Sequence, residues 1–84
     1  MKIAVTRCDI DEGVAKDPIC CPLARAIGRA LSAPVLVYYE GVYLLGHEEM
    51  LAKIPDPVVG WMGDFDVDGT GEPFEFELKF HNFS

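Results

Sequence analysis

Eighty-four residues make a single domain, residues 1–84, with a core only one layer thick, since a chain this short buries about 60–65% of the surface its unfolded form exposes. Half of the residues are hydrophobic and a quarter charged, which excludes a disordered chain; the longest apolar run, Ala33 to Tyr39, is far below the roughly 20 residues of a membrane span. The net charge of −7 repels phosphate backbones and argues against direct nucleic-acid binding.

Met1 to Thr6 carries one positive charge and an apolar stretch too short for a signal peptide, so a cytoplasmic chain is expected. The three cysteines agree with that compartment. Cys8, Cys20 and Cys21 are odd in number and two are adjacent, unlike a secreted disulfide scaffold. Lys2 to Thr6 reads as a first strand with Ile3 and Val5 on one face. Thr6 and Asp9 have the spacing of a weak capping box, and Gly13 is expected to close that turn as a left-handed cap. Cys21-Pro22 opens a helix to Leu31, with Leu23, Ile27, Ala30 and Leu31 at helical spacing and Arg25 and Arg29 on the opposite face. Ser32-Ala33-Pro34 stops it.

Val35 to Tyr39 and Val42 to Leu45 flank Glu40-Gly41 and predict a hairpin. The adjacent Tyr38 and Tyr39 then face opposite ways, leaving one of them exposed. His47 to Ile54 suits a helix by propensity, although the pattern is ambiguous. Asp56-Pro57 is a helix start, followed by Val58, Trp61, Met62 and Phe65 on one face. Phe74, Phe76, Leu78 and Phe80 alternate with Glu75, Glu77 and Lys79 as a closing strand, and His81 to Ser84 is expected to fray. The implied fold is α+β: a small single-layer antiparallel or mixed sheet with two short helices on one face.

The segment from Asp64 to Glu77 holds Asp64, Asp66, Asp68, Glu72, Glu75 and Glu77 without a base. Asp64, Asp66, Asp68, Gly69 and Glu75 satisfy the D-x-D-x-D-G-x5-E spacing of a calcium loop, with the Thr70 carbonyl as a further ligand. Gly71 and Pro73 inside the loop, and a strand rather than a helix after Glu75, favour a solvated acidic turn instead. Cys21 at a helix N-terminus has a place where a thiol can be activated, but neither His47 nor His81 is tied to it as a base. No zinc-finger spacing, phosphate loop or nucleophile elbow appears. Trp61 reads as core. The residues therefore point to a non-enzymatic protein with no assigned cofactor or metal.

The runs Val5-Thr6, Asp9-Ile10 and Gly13, then Cys21-Pro22-Leu23-Ala24 with Ala26-Ile27, then Phe65-Asp66, and finally Pro73 through Leu78, carry a likeness across nearly the whole chain. In them the sequence resembles a family of small uncharacterised proteins encoded by bacteriophages and by prophage regions of bacteria. Cys20 and the extra aspartates and glycine of the Asp64–Gly71 stretch depart from that pattern. The resemblance implies no active site. It implies the company of short acidic phage proteins that bind host factors, anti-CRISPR proteins and other anti-defence inhibitors among them. The expectation is a protein that binds a basic host protein through an acidic C-terminal face made of Asp64, Asp66, Asp68, Glu72, Glu75 and Glu77. A small calcium-binding module and a self-associating assembly protein are the alternatives.

Overall fold

In a computed structural model that describes residues 1–80, the chain forms five strands and three helices. Strand β1 (Lys2–Val5) buries Ile3 and Val5 and exposes Lys2 and Ala4, as period two requires. Helix α1 (Arg7–Glu12) follows Thr6, and α2 (Pro22–Leu31) follows Cys21 with proline in its first turn. Strands β2 (Val35–Val37), β3 (Gly41–Leu44) and β4 (Met50–Lys53) form an antiparallel meander. Helix α3 (Asp56–Asp68) precedes β5 (Phe74–Glu77).

The α+β class stands, but the single sheet is divided in two. Strand β5 pairs antiparallel with β1, placing Phe76 opposite Ile3, and β2, β3 and β4 make a separate three-stranded sheet. Helix α2 packs on both β1 and β2 and so spans the two sheets. A single bridge between Ala52 and Phe80 joins the chain beyond β5 to β4. One core therefore serves both sheets, with Ile3, Leu23, Ile27, Val42, Ile54 and Leu78 all essentially sealed from water.

Several local expectations change with tertiary context. The stretch expected to suit a helix contains β4, because Ala52 is fully buried opposite Val42 and sheet pairing outweighs the helix propensity of its neighbours. Gly41 makes that pairing possible: a Cβ there would lie 2.2 Å from the Met50 sulfur and 2.7 Å from the Ala52 carbonyl. Gly13 is extended, at φ −71° and ψ 153°, rather than left-handed. Its need for glycine comes from close approach, since a Cβ would sit 2.5 Å from the Asp9 carbonyl. Helix α3 has Pro55, not Asp56, at its cap, and runs past Phe65 to Asp68 before Gly69 ends it at φ 71°. The fraying expected of His81 to Ser84 lies outside the described residues.

The weak capping box at α1 becomes half of a buried ion cluster. Thr6 Oγ1 accepts the Asp9 amide at 3.2 Å, while Asp9 Oδ2 accepts both the Thr6 amide and its hydroxyl at 3.0 Å. Arg29, from α2, donates to both Asp9 oxygens at 2.7 Å, and Arg25 Nε lies 3.6 Å from Oδ1. Asp9 has no solvent exposure. Burial alone would raise its pKa, but the Arg29 fork and the Thr6 donors outweigh burial and hold the carboxyl at about 2. The arginines expected on an outward helix face are thus turned to fastening α2 to α1.

Candidate functional site

A concavity forms where the loop 13–21, the β2–β3 turn and α3 meet. Asp17 shapes the loop by accepting the amides of Ile19 at 2.9 Å and Cys20 at 3.0 Å through one carboxylate oxygen. The Val14 amide donates to the Cys20 carbonyl at 2.9 Å, and the Val37 amide to the Pro18 carbonyl at 2.8 Å. These bonds draw the loop against the end of β2. Strand β2 stops at Val37, and reciprocal bonds between Tyr38 and Gly41 close the turn. From α3, Met62 and Asp66 complete the third wall.

The resulting groove has a volume of about 350 Å³. Cys21, Val37 and Met62 make a buried apolar floor, and Lys16, Asp17, Tyr38, Tyr39 and Asp66 form its rim. Asp66 ties the walls together: Oδ1 accepts the Lys16 amide at 2.9 Å, and Oδ2 accepts the Tyr39 hydroxyl. That hydrogen bond, helped by burial and the carboxylate charge, raises the Tyr39 pKa and keeps the phenol a donor. Lys16 itself sits at φ 64°, a left-handed backbone that L residues adopt only at a cost. Tyr38 meets Tyr43 edge-on, with ring centroids 5.8 Å apart. Cys21 caps α2, its sulfur accepting the Ala24 amide at 3.4 Å; burial pushes the thiol pKa up, so this side chain is an inert piece of floor.

The two tyrosines depart from the strand geometry expected of them. Both lie beyond the end of β2 and both are exposed, Tyr38 by 43% and Tyr39 by 49%. The pair Tyr-Tyr ahead of Glu-Gly was the only available signal, since a turn releases side chains from strict alternation. Nothing in the spacing of Lys16 or Asp17 pointed to this groove.

The six acidic residues do not form one unpaired sheet of charge. Asp64, Asp66 and Asp68 belong to α3, so the looped backbone that a calcium site needs is absent there. Among the described residues no group of three or more His, Cys, Asp or Glu side chains is arranged to hold a metal ion. Glu72 pairs with Arg7 at 3.2 Å, Glu75 with Lys2 at 3.9 Å and Glu77 with the N-terminal ammonium at 3.2 Å. Asp64 and Asp68 are exposed, and neither they nor Asp66 form an ion pair among the described residues. Trp61 is half-buried, stacked on Phe65 at 5.5 Å and tilted against Phe74 at 4.9 Å, and donates to the Glu72 carbonyl at 3.2 Å. It is a brace for the segment between α3 and β5. Comparison of the chain with protein-family models, with characterised proteins and with solved structures gives no match. Among the described residues no helix is long and apolar enough to cross a membrane.

Proposed function

We propose that this chain is a non-enzymatic interaction protein of the bacteriophage type, acting in the host cytoplasm by docking on a basic host protein. Inhibition of a host defence system, as by anti-CRISPR proteins, is the form of that activity the resemblance to phage proteins suggests. The observation that carries the reading is the last turn of α3. Asp64 and Asp68 lie four residues apart there, on the helix end that already bears partial negative charge, and no base shares the turn. That arrangement opposes both the macrodipole and favourable side-chain pairing, each by a few tenths of a kcal/mol. Beside them Val67 is 83% exposed. Carboxylates held at an electrostatically unfavourable place, around an uncovered apolar side chain, serve a contact made outside the chain better than they serve the fold.

Glu72, Glu75 and Glu77 then play a secondary part, since each already faces a cation of the same chain. Affinity capture from bacterial host lysate tests the reading when wild type and the double variant Asp64→Asn/Asp68→Asn are run together over a salt series. A partner should be retained by wild type at moderate salt, released as ionic strength rises to a few tenths molar, and not retained by the variant. A partner held equally by both proteins, or held unchanged at high salt, overturns it.

A further inference from the structure

We infer that the groove between loop 13–21, the Tyr38–Tyr39 turn and α3 is a receptor for an arginine side chain of the basic partner. The inference rests on the docking reading above and specifies where one cationic side chain enters. The volume of about 350 Å³ is at the small end of the roughly 300–1,000 Å³ typical of ligand sites, which suits a side chain better than a whole small molecule. Its floor of Val37, Met62 and Cys21 is apolar and matches a methylene stem. Its rim carries two carboxylates, Asp17 and Asp66, and two exposed phenol rings. The fixed contacts of Asp17 use Oδ1 alone, leaving Oδ2 without a hydrogen-bond partner among the described residues. Asp66 is held by donors from the Lys16 amide and from Tyr39, and a carboxylate has lone pairs beyond those two bonds.

Arginine fits this chemistry better than lysine. A guanidinium stacks on a tyrosine face and forks to carboxylate oxygens, whereas an ammonium is a strongly hydrated point charge with no planar face. The occupant is therefore cationic and planar at its tip, and aliphatic below it. The Lys16 ammonium, on the same rim, makes no ion pair among the described residues. Its charge opposes an incoming cation, which gives the test a substitution of opposite sign.

The experiment is amide and side-chain NMR of the full chain titrated with acetyl-Gly-Gly-Arg-Gly-Gly-amide, beside the lysine and citrulline versions of the peptide. Expected shifts concentrate on residues 16–21, 37–39, Met62 and Asp66, with arginine tighter than lysine by about threefold and citrulline weaker than both. Asp66→Asn should weaken the arginine peptide by about fivefold, and Lys16→Met should tighten it by about twofold. Because Asp66→Asn also disturbs two internal bonds, Tyr38→Ala supplies a second weakening variant that leaves those bonds in place. Glu48→Gln/Glu49→Gln, exposed and outside the groove, should leave the titration unchanged. Shifts centred on Asp64, Val67 and Asp68 instead would overturn the groove while keeping the docking reading. An equal response to arginine and citrulline, or no gain from Lys16→Met, would also overturn the groove. No shift anywhere with any cationic peptide would count against both.

Discussion

Replacing Asp9 by asparagine keeps the shape of the side chain and removes its charge, leaving the Arg29 guanidinium against a neutral amide and Arg25 Nε without its counter-ion. Asp9 is buried but the Arg29 side chain is 53% exposed and water re-solvates it, so losing the pair from one side costs about 2 kcal/mol, below the cost of a fully buried pair. Urea unfolding of Asp9→Asn should show that loss as a lower midpoint with an unchanged slope. The pH dependence has a definite sign. The folded pKa of about 2 lies below the unfolded value near 3.9, so the unfolded chain binds the proton more readily. The stabilisation is complete above about pH 5 and drains as pH falls through about 2, amounting to roughly 2 kcal/mol. Asp9→Asn should flatten the stability profile across that acid range, and an unchanged profile would mean that Asp9 is not the group responsible.

At the level of elements, what could be read in the sequence followed from periodicity that context reinforced. Ile3 and Val5 in β1, Leu23 and Ile27 in α2, the β2–β3 hairpin, and the alternation of Phe74 with Phe76 all bury the face their spacing indicates or lie against it. Strand β4 was hidden because only its pairing with β3 makes Met50-Leu51-Ala52-Lys53 extended. The end of α3 was hidden because Asp64, Asp66 and Asp68 read as loop composition, whereas the helix is carried onward by Met62 and Phe65 packing on the core. The groove was the least legible feature: its walls come from three separated segments, and a loop tied by Asp17 has no period to detect. Helix α3 also yields a stability prediction. A Cβ at Gly60 meets nothing within 4 Å, so Gly60→Ala should stabilise the protein by about 0.5–1 kcal/mol through lost backbone freedom in the unfolded chain. Asp68→Asn should add a few tenths of a kcal/mol at the negative end of the dipole. Thermal melts of the two single variants measure both gains, and a loss in either would show that the helix end is held by contacts other than these.

On the scale of the whole molecule, the pairing of β1 with β5 sets the order of events, for the register Lys2 with Glu77 through Val5 with Phe74 joins the two ends of the sequence. Ile3 and Val5 have no strand partner until residues 74–77 arrive, and Leu78 is sealed only when its amide reaches the Met1 carbonyl at 2.8 Å. A version ended at Pro73 should therefore lose cooperative unfolding altogether, which circular dichroism with heating would reveal; a sharp transition in that version would mean that the β2–β3–β4 sheet and α2 stand alone. Pairings this distant along the chain also slow folding, since the closure entropy is met before the contacts form. During synthesis the consequence is temporal. Residues 2–5 leave the ribosome well before residues 74–77, so throughout that interval the apolar side of β1 stays open to chaperones and proteases, and protection arrives only once its mate has cleared the exit tunnel.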